Sequence, residues 1–376
     1  MNSQTMEYRD VPFFNYQALV KPYKSELIEV ISSVLDRGAF ILQKELETFE
    51  QNAASFLGVK HFLGAADGTN AIEISLMAAG VVRGDEVILP SHTYIATASA
   101  VHFIGATPIL VECGPDHLID DKSVAKALTS KTKCIIPVHL NGRTCEMDSI
   151  MKIANENGLV IVEDAAQAFG SKYDGKAAGS FGAAGTISFY PAKVLGGFGD
   201  AGGILTNDTN VYERLYALRD HGRDRQGTFT GWGKNCRLDN LQAAILDYKL
   251  KSFKVEIERR RQIAALYQQE LGSLEELVLP PAPSSQSKHF DIYQNYEIEA
   301  QRRDELKQYL LDKGVRTLIQ WGGKPIHQLE VLNLKCSLPV TDLLFERCLM
   351  IPMNTSLTDD DVHYVAAMIR SFYQGR

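Results

Sequence analysis

The sequence predicts an α/β layer fold, a large domain with a mostly parallel sheet between helices, followed by a smaller C-terminal α+β domain. Three observations carry this. Between about residues 60 and 210, short apolar runs alternate with helix-like stretches, the pattern of parallel strands joined by helical crossovers and covered on both faces. Gly80, Gly105 and Gly158 stand where three of those helices should stop, since glycine ends a helix in the left-handed conformation without steric cost. After Arg237 the alternation gives way to a long helical pattern, a proline-rich loop, one strand and further helices. A length of 376 residues suits two units. The expected boundary separates residues 1–245, an N-terminal segment with the large domain, from 246–376, a long connecting helix with the small domain.

Taken in order, strands are expected over residues 61–65, 86–89, 108–111, 134–139, 159–162, 186–190 and 203–206, where apolar runs are too short for helices. Helices are expected over 70–79, 95–103 and 147–157. From 238 to about 271 the chain reads as one long helix, with Leu241, Ala244, Ile245, Tyr248 and Leu250 among its apolar positions. Leu279-Pro280-Pro281-Ala282-Pro283-Ser284-Ser285 reads as an extended loop. A strand over 292–298, a helix over 303–313 and a final helix over 359–373 complete the small domain.

Composition narrows the function classes. The chain is 45% hydrophobic and 23% charged, which places it with soluble globular proteins. No apolar run is long enough to span a bilayer, and the opening Met1-Asn2-Ser3-Gln4-Thr5-Met6-Glu7-Tyr8-Arg9-Asp10 lacks the apolar core of a signal peptide. A cytoplasmic protein with no membrane partner is therefore expected. The six cysteines show no CxxC pair, so packed, reduced thiols are expected, with neither a disulfide framework nor a metal site. A net charge of −7 argues against nucleic acid as a partner. Two basic clusters stand out. Arg259-Arg260-Arg261, with Glu256 and Glu258, reads as a solvated helix face. Arg219, His221, Arg223 and Arg225 read either as a solvated helix end or as a site for a diphosphate.

The candidate chemistry centres on Lys193. It follows an apolar strand and precedes the glycine-rich run Gly196-Gly197-Phe198-Gly199-Asp200-Ala201-Gly202-Gly203, whose backbone can approach a ligand closely. A lysine amine in a dry pocket loses proton affinity and becomes a nucleophile toward carbonyls; on a solvated turn it does neither. A pyridoxal phosphate enzyme needs such a lysine, an acid for the pyridine nitrogen, an anion cradle and a flat group against the ring. Asp164 ends the apolar strand that begins at Leu159 and needs a partner, which a pyridinium N–H or a following turn could provide. Gln167 lies on the same side if the chain turns helically there. Gly68-Thr69 opens a helix, where free N–H groups favour phosphate, although Thr69 can equally be an N-cap alone. Ser188 can add a hydroxyl. Tyr94, at a strand-to-helix loop, either stacks on a ligand or packs.

These residues closely resemble the nucleotide-sugar aminotransferases of the DegT/StrS family, with the aspartate-aminotransferase fold, fold type I. The likeness runs nearly end to end. It covers Arg37-Gly38-Ala39-Phe40-Ile41-Leu42, Asp67-Gly68-Thr69-Asn70-Ala71, Glu163-Asp164-Ala165-Ala166-Gln167-Ala168, the run from Ser188 to Gly203, and Asn235-Cys236-Arg237-Leu238-Asp239. The resemblance implies that Lys193 forms the internal aldimine with pyridoxal 5'-phosphate. Asp164 would hold the pyridine nitrogen and Gln167 the ring hydroxyl, with Gly68, Thr69 and Ser188 on the phosphate and Tyr94 against the ring. Asn235 would reach the phosphate from the neighbouring subunit, making a homodimer with shared active sites. His327 would match the family's histidine near the substrate; Tyr190, and Arg219 and Arg223 by their charge, are further candidates to meet it. A lysine at position 193, where some members have histidine, implies amination rather than deoxygenation.

The run from Tyr190 to Gly202 looks like the pattern of members that aminate 3-keto sugars, with 4-keto amination as the alternative. The implied reaction moves an amino group from glutamate to a dTDP- or UDP-linked ketohexose, for an amino sugar of a surface glycan, lipopolysaccharide or secondary metabolite. Two departures bear on which sugar is bound: Asn70 replaces a common aspartate, and Gln320-Trp321-Gly322-Gly323-Lys324-Pro325-Ile326-His327 replaces a His-Tyr-Pro run. Two rivals come from other classes. Gly197, Gly199 and Gly202 match GxGxxG, but a strand rather than a helix is expected to follow, against a dinucleotide enzyme. The other is a non-catalytic cofactor-binding sensor or regulator on the same fold.

Overall fold

Seven strands form the central sheet: β1 (His61–Ala65), β2 (Glu86–Pro90), β3 (Thr107–Val111), β4 (Thr132–Ile135), β5 (Val160–Asp164), β6 (Ala184–Ser188) and β7 (Gly202–Thr206). Their order is β1-β7-β6-β5-β4-β2-β3 in the computed structural model, which describes residues 7–284 and 286–375. Residues 1–6 of the opening segment and Ser285 of the proline-rich loop lie outside the described residues. The strands from β2 to β6 pair in parallel, while β7 runs antiparallel to both β1 and β6.

Alternation along the strands covers both faces of the sheet. Phe62 and Leu205 enter a cluster with Phe49, Phe169, Phe189 and Phe253, while Leu63 and Ile204, their neighbours in sequence, pack with Ala71 and Ile74. The helices Gly68–Ala78, Ile95–Phe103 and Met147–Asn157 lie close to their expected positions, and Gly80, Gly105 and Gly158 all take positive φ just beyond them. Because Gly202 opens a strand, the GxGxxG run does not lead into a helix.

The small domain is a three-stranded antiparallel sheet, β8 (Leu277–Val278), β9 (Tyr296–Ala300) and β10 (Cys348–Ile351), packed under helices Phe253–Leu271, Arg303–Asp312 and Asp359–Gln374. Its core gathers Ile263, Tyr267, Ile298, Leu306, Leu349, Val365 and Ile369. Val11 joins that core and pairs with Val315, so the N-terminal segment is tied to the C-terminal unit. The final helix starts at a capping box between Thr358 and Asp361.

Three expectations are corrected. The single long helix is two, Asn240–Leu250 and Phe253–Leu271. At the junction Lys251 and Ser252 bond three residues back, tightening the chain so that Phe253 drops against Phe56 and Phe169. The strand expected over 134–139 ends at Ile135, because Pro137 has no N–H for the ladder. The strand expected over 292–298 starts at Tyr296, after Tyr293 takes φ 50°. Among the described residues, no helix is long and apolar enough to cross a membrane. The cysteines among them form no disulfide, and no group of His, Cys, Asp and Glu is placed to hold a metal ion.

Candidate active site

A cavity of about 730 Å³ opens where β5 and β6 end, beside the first turn of helix Gly68–Ala78 and under the small domain. Gly68, Thr69, Tyr94, Asp164, Gln167, Ser188, Tyr190 and Lys193 all line it. The sheet brings these residues together because parallel strands deliver their C-terminal ends to one edge.

Lys193 lies in a turn just past β6, its N–H donating to Tyr190 O at 2.8 Å. The small domain clamps this turn. Gln294 Oε1 accepts from Val194 N at 2.8 Å, and Gln294 Nε2 donates to Ala192 O at 2.9 Å. Burial disfavours the ammonium and brings the Lys193 amine down to about 8, although the Asp164 charge pulls the other way.

Asp164 closes β5 and is buried. Its Oδ2 accepts from Thr97 Oγ1 at 2.8 Å, and its Oδ1 accepts from Ala166 N at 3.1 Å. Thr97 in turn sits 2.8 Å from Thr93 Oγ1. Among the described residues, no Lys, Arg or His forms an ion pair with this carboxylate. The neighbouring Glu163 is occupied otherwise: it faces His139 at 2.8 Å and accepts from the N–H groups of Gly179, Phe181 and Gly182.

Asp67 caps the helix at Gly68, accepting from Asn70 N at 2.8 Å, so Thr69 is not the N-cap. Ser188 and Gly202 press against this turn. A Cβ on Gly68 would stand 3.0 Å from Ser188 Cβ, and one on Gly202 would stand 2.5 Å from the Asp67 carbonyl. The result is a tight cradle of N–H groups and hydroxyls. Tyr94 and Trp321 meet at the cavity wall with ring centroids 5.5 Å apart.

The other expected residues lie elsewhere. Asn235 is exposed, does not line its own chain's cavity and accepts from Arg237 Nε at 3.0 Å. Arg219 is buried against Glu50 and donates to Gly64 O at 3.2 Å. Arg223 pairs with Asp220 at 2.9 Å, and Arg225 lies 4.3 Å from the Tyr216 ring centroid. His327 sits between Ser91 Oγ at 2.7 Å and Asp342 at 2.8 Å, off the cavity wall. The second basic cluster is no solvated face: Arg260 is buried and donates to the carbonyls of Tyr293, Gln294 and Met353. Thr97, Gln294 and Asn141 complete the surroundings and were missed by sequence reasoning, while Trp321 entered it only as part of the run from Gln320 to His327. For Thr93 and Thr97 the i,i+4 spacing at a helix start was a usable signal; for Gln294 there was none.

The model of the DegT/DnrJ/EryC1/StrS aminotransferase family matches residues 22–370. A pleiotropic regulatory protein of Geobacillus stearothermophilus is 38% identical, over 97% of this chain and 99% of its own length. The dTDP-3-amino-3,4,6-trideoxy-alpha-D-glucose transaminase of Streptomyces venezuelae is also 38% identical, over 86% of this chain and 85% of its own. The crystal structure of S. venezuelae DesV in complex with a ketimine intermediate superposes with a TM-score of 0.92 at 36% identity, covering 96% of this chain and 98% of that one.

Proposed function

Because this chain belongs to the DegT/DnrJ/EryC1/StrS aminotransferase family, we propose that it moves an amino group from glutamate to a 3-keto hexose carried on dTDP or UDP. The family's cofactor is pyridoxal phosphate. The observation that carries the reading is the buried amine of Lys193, lowered to about 8, on one cavity wall with the buried carboxylate of Asp164, which forms no ion pair among the described residues.

The residues fit the cofactor. Asp164 is a carboxylate held in place by neutral donors, so a protonated ring nitrogen would supply the missing positive partner. Gly68, Thr69 and Ser188 would hold the phosphate at a helix N-terminus. Gln167 would meet the ring oxygen, and Tyr94 would lie against the ring. Bound there, the cofactor supplies an aldehyde for amines and a ring that accepts the electron pair from a broken C–H bond.

Lys193 is the only amine on the cavity wall among the described residues. Held beside the reacting carbon, Lys193 Nζ would take the proton from the donor's α-carbon as base and then, as acid, give it to the cofactor carbon that had carried the aldehyde. The bonds from Gln294 hold the backbone on both sides of Lys193. Tyr190, half exposed on the wall, would touch the sugar. Asn235 shares an exposed loop with Phe229 and Trp232, 70% and 95% accessible, which suits a loop that enters the partner's site in a homodimer. Arg219 and Arg223, both in ion pairs, and His327 would then act on substrate only by holding loops.

Purified protein loaded with pyridoxal phosphate and mixed with glutamate should lose its visible band and release 2-oxoglutarate, then aminate a 3-keto nucleotide sugar in preference to a 4-keto one by mass spectrometry. No change with glutamate would reject the donor; preference for the 4-keto sugar would reject the regiochemistry.

A further inference from the structure

Behind Gln167, a buried polar network joins the large and small domains. At its centre is Glu297, on β9, only 3% exposed. Its Oε2 stands 2.9 Å from His117 Nδ1 and accepts from Asn141 Nδ2 at 3.0 Å, while its Oε1 accepts from Gln320 Nε2 at 2.9 Å. Asn141 is held on its other side too: its Oδ1 accepts from Asn295 at 2.9 Å and from Gln320 at 2.7 Å. The backbone of Asn141 takes φ 56° and ψ 13°, a left-handed conformation that a non-glycine residue adopts at a cost. In that conformation its N–H donates to Gln167 Oε1 at 2.8 Å. A backbone N–H cannot exchange roles as an amide side chain can, so the oxygen of Gln167 is defined and its NH₂ group is left for the cavity.

We infer that Glu297 is a positioning residue for the cofactor, fixing through Asn141 the direction in which Gln167 presents its NH₂ group. The inference rests on the reading of Gln167 as the contact to the ring oxygen. Nothing in the chemistry of a β-strand asks for a carboxylate at position 297. Its value lies in accepting from donors on both domains at once. It is an anion at neutral pH. Burial alone would raise it, but the imidazoles of His92 and His117 and the Asn141 amide hold it down at about 2. Burial disfavours the His92 cation, which the Glu297 charge favours; the imidazole in hydrogen-bond contact is that of His117, which also touches Glu299 at 3.4 Å.

The test is a double-variant cycle on the protein loaded with pyridoxal phosphate. Glu297→Gln keeps the shape but sets an NH₂ group against one of the donors from His117, Asn141 and Gln320, whichever way it turns. It should weaken cofactor binding about tenfold, the scale of one hydrogen bond to a charged group. It should also move the visible absorption band and its pH midpoint toward those of Gln167→Ala. The double variant should match Gln167→Ala in both, because the two residues act in series. Asn141→Gly keeps the left-handed backbone and its N–H while removing the tether, should reproduce the effect, and decides the matter if Glu297→Gln does not fold. Wild-type affinity and spectrum in the folded variants, or full additivity in the double variant, would overturn the role of Glu297. An unchanged spectrum in Gln167→Ala would remove the ring-oxygen contact and the positioning role together, while the glutamate reaction would still judge the aminotransferase reading separately.

Discussion

At Lys193 the environment of a single nitrogen sets the chemistry. Its amine titrates near 8 in the folded protein, against an ordinary value of 10.5. The apoprotein should therefore capture pyridoxal phosphate at a rate that rises with pH and inflects near 8, where a solvated lysine would inflect near its ordinary value; stopped-flow absorbance measures this. The sign for stability follows. Between those two values the unfolded chain binds more protons than the folded one, so the site's penalty is full below pH 8 and fades toward 10.5. Lys193→Met should raise the melting temperature of the apoprotein at pH 7 by on the order of a few degrees, and the gain should shrink as pH rises. Thr97→Val tests the neighbouring carboxylate: with one donor gone from buried Asp164, cofactor affinity should fall roughly tenfold in a spectroscopic titration. Lys193, Asp164 and Ser188 were legible in the sequence because each sits at the end of an apolar run, where a polar side chain needs a reason. Thr97 had only its spacing from Thr93 as a signal; nothing in the sequence pointed to its partner Asp164, 67 positions away.

Among the elements, β7 shows how a strand can shape a binding turn without contributing a side chain. Gly202 lets its backbone lie against Asp67 and Gly68, where a Cβ would meet the Asp67 carbonyl at 2.5 Å. That atom belongs to the backbone of a capped helix and cannot swing aside. Gly202→Ala should therefore displace the phosphate cradle and weaken cofactor binding by more than tenfold, whereas Gly175→Ala, whose φ of 76° strains the backbone only at a turn outside the cavity wall, should leave affinity unchanged; equilibrium dialysis distinguishes them. Most elements of the large domain were readable because strand and helix periods differ and glycines mark the helix ends. The break between Leu250 and Phe253 was not readable: both segments share one apolar period, and the one-turn tightening is set by Phe253 finding Phe56 and Phe169. The arginines at 259–261 misled for a related reason. Their charges suggest water, but Arg260 finds its partners among carbonyls 33, 34 and 93 positions further along the chain.

The two domains of the whole molecule meet across charged groups that titrate in opposite directions. His117, faced by Glu297 and Glu299, is raised to about 9: burial opposes its charge, but the hydrogen bonds to both carboxylates outweigh burial. A raised base stabilises fully below its unfolded value, 6.5, and that contribution is lost as pH climbs through 9. Glu297, lowered to about 2, stabilises above its unfolded value, 4.5, and that contribution is lost as pH falls toward 2. The pair therefore strengthens the domain contact most between pH 4.5 and 6.5. Lys193 acts against this trend above pH 8, because its penalty fades there while the contribution of His117 is still being lost. Melting curves of the wild-type apoprotein would mix the two. In a Lys193→Met background the alkaline limb should belong to His117, so the melting temperature should fall steadily from pH 6.5 to 9. Adding His117→Gln should flatten that fall and lower the maximum; an unchanged slope would mean that His117 and Glu297 do not hold the domains together by charge.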